Sequence, residues 1–314
     1  MNQELFGDYL ITEDIGRGAT SRVVRATKDS NEYAIKIFDT FASHLDIEYH
    51  RKEYSILQKL HHSNIVKVHD FGTIRGYSYI VMDLIIGENL AELVRHRGPL
   101  DISSVINIVR DISDALEYAR QSSIIHGDIK PSNILVDKNG KAYLVDFGLA
   151  KIAPSLEHMT KVIEKRTTLG TTDFMAPEVL QDGPSTWSSD LYSLGIVTYF
   201  ALTAHLPSDR QTVFSRAQDR VKGKIVPVSL RNRLVPTSIE KTVHRAIAID
   251  PRDRFASSKE FYAALIVPQK QVSNLYEELV AKTRTYKIDF YRHILIPLLI
   301  TMIGGVILEI FFNN

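Results

Sequence analysis

Two acids, an amide and a lysine stand close together in His126-Gly127-Asp128-Ile129-Lys130-Pro131-Ser132-Asn133 and, eighteen positions after Asp128, in Asp146-Phe147-Gly148. These residue types suit phosphoryl transfer from a magnesium nucleotide. One carboxylate orients a hydroxyl, the other carboxylate and the amide hold metal ions, and the lysine offsets charge on the phosphate in flight. Such chemistry works only if other elements press a nucleotide against these groups.

The preceding chain offers such elements. Tyr9 to Ile15 reads as a strand, Gly16-Arg17-Gly18 as a turn, and Val23 to Thr27 and Glu32 to Phe38 as two more strands. Strand–turn–strand makes a hairpin, not the strand–helix unit of a dinucleotide fold. Residues 46–60 place Ile47, Tyr54, Leu57 and Leu60 at helical spacing. Strands follow around Val66–Phe71 and Tyr77–Asp83. After Gly87 the pattern turns helical, over Asn89–Arg97 and Ile102–Gln121. The acid-bearing loop precedes two short strands, Ile134–Val136 and Ala142–Val145. An apolar helix over Asp190–Thr203 and two or more helices within 238–265 complete the domain. Strands with one helix, then mostly helices, make an α+β chain of two lobes, and the cleft between lobes is a natural ligand site.

Taken jointly and in order, these motifs resemble the protein kinase family over about residues 9–267. Within it, Lys130-Pro131-x-Asn133 resembles the serine/threonine kinases, of the bacterial eukaryotic-like type. Gly16-Arg17-Gly18-Ala19-Thr20-Ser21-Arg22-Val23 resembles the family's glycine-rich loop, with serine in place of the third glycine. Lys36, in Ala34-Ile35-Lys36, matches the strand lysine that binds the α- and β-phosphates. The resemblance implies that Glu53 pairs with Lys36, with Glu48 as the competing partner. Tyr79-Ile80-Val81-Met82-Asp83-Leu84-Ile85 resembles the hinge strand, so the Asp83 and Ile85 backbones would meet the adenine edge. Ile15, Val23, Ala34 and Leu135 would wall the adenine pocket. Asp128 would orient the hydroxyl or act as general base, and Lys130 would neutralise charge. Asn133 and Asp146 would bind Mg2+, with Mn2+ as an alternative metal. Gly170 to Glu178 resembles the substrate-binding end of the activation segment. Glu178 would pair with Arg254, and Asp190 would cap the loop's backbone. The implied fold is bilobal: a small antiparallel-sheet lobe with one helix over about 1–82, a hinge at 83–87, and a larger helical lobe over 88–267.

Gly127 departs from the family, which often has arginine there to clamp a phosphorylated activation segment. Activity is therefore expected to be independent of that docking. His-Gly-Asp-x-x-x-x-Asn also resembles small-molecule phosphotransferases, although these generally lack the Lys130-Pro131 pair and the Gly170–Glu178 segment. A nucleotide-binding pseudokinase scaffold is the non-enzymatic alternative, against which stand Lys36, Asp128 and Asp146. The leading expectation is transfer of the γ-phosphoryl group of ATP to serine or threonine hydroxyls of protein substrates.

Hydrophobic residues make up 44% of the 314, enough to bury a core, and charged residues make up 24%. Thirty-eight basic side chains against thirty-seven acidic ones leave a net charge of +1 and no case for nucleic acid. The absence of cysteine excludes disulfides and thiolate chemistry. The C-terminus differs in composition. Ile294 to Leu308 carries no charge, Glu309 interrupts, and Ile310-Phe311-Phe312 follow, with Lys282, Arg284, Lys287 and Arg292 ahead. About 20 apolar residues make a span, and a basic flank favours the cytoplasmic side. The expectation is a single-pass membrane helix at 294–312, a connector over 268–293 and a cytoplasmic catalytic domain. Gly304-Gly305 would permit close helix contact and hence a homodimer. With Asn313-Asn314 alone beyond the helix, any signal is expected from the cytoplasm, the bilayer or a partner helix.

Overall fold

Alternating burial along Asn31–Phe38 sets the architecture of the first part of the chain. Ile35 and Ile37 face one core at 0% and 3% exposure, while Lys36 points to the opposite face. In the computed structural model, which describes residues 4–18, 21–38, 44–147, 151–152 and 171–267, this segment is the fourth strand of six. They run β1 (Glu4–Phe6), β2 (Tyr9–Arg17), β3 (Ser21–Lys28), β4 (Asn31–Phe38), β5 (Val68–Ile74) and β6 (Tyr77–Asp83). All pairs are antiparallel, in the order β1-β2-β3-β4-β6-β5. Asp29-Ser30 and Arg75-Gly76 turn two of the hairpins with both residues at positive φ, the backbone that matches the twist of paired strands. Helix α1 (His44–Leu57) packs on β5 and β6.

The sequence reading places a turn at Gly16-Arg17, yet β2 continues through both residues. Register shifts between Ile11 and Glu13 and between Asp14 and Gly16 bend the strand without ending it. β1 has no counterpart in the reading. Three residues are too few to show alternation, and Phe6 joins the core of the sheet through non-local packing that includes an edge-to-face contact with Tyr79, 5.3 Å between centroids.

The rest is mainly helical: α2 (Leu90–Arg97), α3 (Ile102–Gln121), α4 (Pro177–Leu180), α5 (Trp187–Thr203), α6 (Val213–Val221), α7 (Val228–Arg231) and α8 (Thr237–Ala246), with α9 over 258–267. A small sheet of β7 (Gly87–Asn89), β9 (Ile134–Asp137) and β10 (Ala142–Leu144) lies among them, as does the pair β8 (Ile124–Ile125) and β11 (Lys151–Ile152). β7 approaches β9 so closely that a Cβ on Gly87 would sit 2.2 Å from the Val136 carbonyl oxygen. Helix α5 is apolar all round and is buried accordingly. It starts at Trp187, three residues before the sequence reading, because Thr186 and Ser189 form a reciprocal capping box.

The chain divides into two compact units, Met1–Leu265 and Ile266–Asn314. The expected connector at 268–293 and the expected span at 294–312 lie outside the described residues. Among the described residues no helix is long and apolar enough to cross a membrane.

One ion pair staples the helical part. The Arg254 guanidinium, 0% exposed, donates to both Glu178 carboxylate oxygens at 2.8 Å, and to the carbonyls of Ala248, Ser188 and Ile249. Its removal strands a partly buried carboxylate and three carbonyls. Arg254→Met should therefore lower unfolding free energy by about 3–5 kcal/mol. Arg254→Lys should recover little of it, since one ammonium cannot reproduce the fork. Denaturant midpoints of the three proteins check this, and a Met variant within about 1 kcal/mol of wild type would contradict it.

Candidate active site

β4 delivers Lys36 to the inner face of the sheet, and α1 delivers Glu53 to meet it. The ammonium lies 2.9 Å from Glu53 Oε1 and 2.9 Å from Asp146 Oδ1. Glu53 rather than Glu48 faces the lysine: Glu53 is 4% exposed, whereas Glu48 lies on the solvent side of the helix. Burial alone would lower the Lys36 pKa, but the charges of Asp146 and Glu53 outweigh it and hold the lysine above its ordinary value. The ammonium is therefore permanent.

Asp146 follows β10 and takes a left-handed conformation, φ 64°, uncommon for any residue but glycine and tolerated by aspartate. Its segment is tied to the loop that carries the other acid, because the Val145 N–H donates to the Asn133 carbonyl at 3.0 Å.

That loop, Ile124 to Asn133, ends in a 3-10 turn at Pro131–Asn133. Asp190, in the first turn of α5, accepts from the His126 N–H at 2.8 Å and the Gly127 N–H at 2.9 Å, one on each oxygen. Burial pushes its carboxyl up to about 7, and the two N–H donors pull the other way. Gly127 has φ 75°, a conformation glycine adopts without penalty. His126 is fully buried, and burial lowers its pKa to about 4, so it is neutral. Its tautomer follows from its partners. The Asp128 N–H donates to Nδ1 at 3.2 Å, so Nε2 carries the proton and donates to the Val145 carbonyl at 3.3 Å. The imidazole packs on Phe147 with centroids 4.4 Å apart.

Asp128 and Lys130 form a close pair, Nζ to Oδ2 2.8 Å. The Asn133 amide nitrogen donates to the Asp128 carbonyl at 2.9 Å and to Oδ2 at 3.1 Å. With its nitrogen so engaged, Asn133 keeps its amide oxygen as a possible ligand atom. Asp128 Oδ1 makes no hydrogen bond among the described residues. Burial raises the Asp128 pKa, and Lys130 opposes the shift. Such an arrangement can accept a proton from a hydroxyl, and Asn133 and Asp146 offer oxygen ligands that suit a hard divalent cation.

The remaining expected residues sit on the strands around Lys36. Gly16 pairs with Val23, Val23 with Lys36, and Ala34 with Met82. Ile15 is on β2, and Leu135 lies on β9 opposite Asn89 and Tyr143. A Cβ on Gly16 or Gly18 would meet only ordinary contacts, 3.8 and 3.5 Å away, so the chain itself does not demand glycine there. Asp83 ends β6, and its N–H donates to the Lys67 carbonyl at 2.9 Å. The Ile85 N–H has no acceptor among the described residues.

The sequence reading missed a clamp. On α6, Arg216 makes a two-pronged pair with Asp173, both bonds 2.7 Å. Arg220, one helical turn on and 1% exposed, donates to the Thr172 carbonyl. Two arginines on an amphipathic helix read as solvated surface, and only their i, i+4 spacing marks them as a unit.

Comparison with known proteins agrees with this geometry. Residues 9–272 match the family model described as protein kinase domain. The serine/threonine-protein kinase PrkC of Bacillus subtilis is 33% identical over 267 residues, which is 84% of this chain and 41% of that protein. The serine/threonine-protein kinase PknE of Mycobacterium bovis is 33% identical over 265 residues, 82% of this chain and 46% of its own. A probable serine/threonine-protein kinase of Clostridium perfringens, CPE1738, is 31% identical over 261 residues, 82% and 38% respectively. The chain spans less than half the length of each of these relatives. On the family match and the arrangement of Lys36, Glu53, Asp128 and Asp146, the chain belongs to the protein kinase domain family.

Proposed function

We propose that this chain is a serine/threonine protein kinase that moves the γ-phosphoryl group of ATP to hydroxyls of protein substrates. The observation that carries the reading is the Lys36 ammonium, 2.9 Å from carboxylates 17 and 110 residues away in the chain. Few structural needs call for a lysine held at such cost, whereas a nucleotide's α- and β-phosphates call for a cation fixed in direction.

The neighbouring residues fit the same ligand. The glycines at 16 and 18 leave room for phosphates over the hairpin, and the Ile85 N–H suits an adenine acceptor beside the Asp83 backbone. Ile15, Val23, Ala34 and Leu135 supply apolar walls. Asn133 and Asp146 would hold Mg2+ or Mn2+ together with phosphate oxygens, since such ions are commonly held by one or two protein oxygens plus substrate. The bound ion would neutralise phosphate charge. Asp128 receives the hydroxyl proton at Oδ1, with its raised pKa favouring that transfer. Lys130, anchored on Oδ2, faces the phosphoryl group in transit.

Residues 294–312 serve as a membrane anchor with the catalytic domain in the cytoplasm, on the strength of their length, composition and basic flank. Gly304-Gly305 would let two such segments approach closely, as a homodimer would require.

Three outcomes follow. Autophosphorylation with labelled ATP should fall about 10²–10⁴-fold in Asp128→Ala, and Lys36→Met should lose most of the signal. Signals equal to wild type would leave only a scaffold role. Deleting 294–314 should move the kinase from the membrane fraction to the soluble fraction with its activity kept, whereas retention on the membrane would sink the anchor. Alanine at Thr160, Thr167, Thr168 and Thr172 should leave more than about half the activity, since Gly127 offers no guanidinium to a phosphate. Collapse from a single one of these changes would show a phosphate dock elsewhere.

A further inference from the structure

We propose that His50 is the positioning residue of the Lys36–Glu53 pair, acting through Ser78 and Phe38. The inference rests on the reading of Lys36 as the nucleotide-binding lysine. His50 lies three residues before Glu53 on the same face of α1. It is 6% exposed, and its Nδ1 lies 2.6 Å from the Ser78 hydroxyl on β6, itself 0% exposed. The imidazole stacks on Phe38 with centroids 3.5 Å apart and planes 11° from parallel. Lys36 Nζ lies 5.0 Å from the centroid of that same Phe38 ring.

The register explains why these groups converge. Lys36 pairs directly with Ile80, so Lys36 and Phe38 of β4 share a face with Ile80 and Ser78 of β6. That face is covered by α1. Apolar contact alone is non-directional and lets a helix slide or roll on a sheet. A buried polar pair is directional, and leaving either member without its partner costs free energy. The His50–Ser78 bond thus sets both the position of α1 along the sheet and its rotation. Glu53 inherits that setting through the helix. Lys36 inherits it through the Phe38 ring, which carries the ammonium by cation–π attraction. One side chain therefore fixes both partners of the ion pair while touching neither phosphate nor acceptor.

Steady-state kinetics on the full chain, with ATP varied against a generic protein acceptor, test this beside thermal melting. Ser78→Ala and His50→Phe should each lower kcat/KM for ATP about tenfold, chiefly through KM, the scale of one buried hydrogen bond. The double variant leaves neither member of this bond buried without the other, so its melting temperature should recover part of the loss while the rise in KM persists. Lys36→Met gives the floor of activity. If KM in the double variant returns to wild type together with melting, or if both single variants keep wild-type constants, His50 is merely structural and the inference fails. Wild-type turnover no higher than that floor overturns the kinase reading and this inference with it. If either single variant fails to fold, the double variant alone decides between the two outcomes.

Discussion

An ammonium enclosed between two carboxylates is the constraint on which this structure turns. Taking a lysine out of water costs several kcal/mol unless opposite charge and hydrogen bonds replace the hydration. Here the replacements come from α1 and from the segment after β10, so the strand, the helix and the later loop must all be in place at once. No two of them suffice. The triad sets one ammonium against two carboxylates. Beside it Lys130 sits on Asp128 Oδ2. A polyphosphate approaching these groups is repelled by the carboxylates unless a divalent cation accompanies it, which is the electrostatic reason to expect the nucleotide as its metal complex.

The loop bearing Asp128 is held by a different principle. Its backbone N–H groups at 126 and 127 would be orphaned in the interior, and both are answered by one aspartate from α5. Asp190 stands in the first turn of that helix, where the dipole favours negative charge. Asp190 is 4% exposed, so the cap lies in the interior with most of α5. The neutral imidazole of His126 completes the arrangement by accepting from Asp128's own N–H and donating to Val145. A charged imidazole could not accept, so burial of the ring is part of what shapes the loop.

Much of this was legible because it is local. Lys36 and Glu53 were legible through short motifs that resemble a known family, and Asp128 to Asn133 form one short loop. What escaped the reading is non-local. β1 joins the sheet's core through packing that includes Phe6 on Tyr79, some seventy residues away. The glycine at 87 looks like a hinge glycine, yet the structure needs it for the approach of β7 to Val136. The early start of α5 was readable in principle, since threonine and serine three apart form the capping box, but serine is a weaker signal there than glutamate. His50, Arg216 and Arg220 are polar residues on amphipathic helices, a pattern shared by every solvated face. Nothing in their neighbours announces Ser78 or Asp173 as partners.

The two sides of the site are held by different kinds of contact. Around Asp173 and Glu178, guanidiniums make many-toothed contacts: Arg254 to Glu178 and three carbonyls, Arg216 to Asp173 and to the carbonyls of Arg210 and Gln211. Arg220 adds a buried guanidinium whose Nε and Nη1 have no hydrogen-bond acceptor among the described residues, with Asp173 Oδ1 3.8 Å from Nη1. A planar fork with several partners fixes orientation as well as distance. On the nucleotide side the lysine ammonium sits between Glu53 of α1 and Asp146, and the His50–Ser78 bond ties that helix to β6. The lysine's carboxylate partner on that side is carried by α1, so changes at α1 reach the ammonium directly. The two sides thus differ in kind: a lone ammonium set between carboxylates on one, planar guanidinium forks with several acceptors on the other.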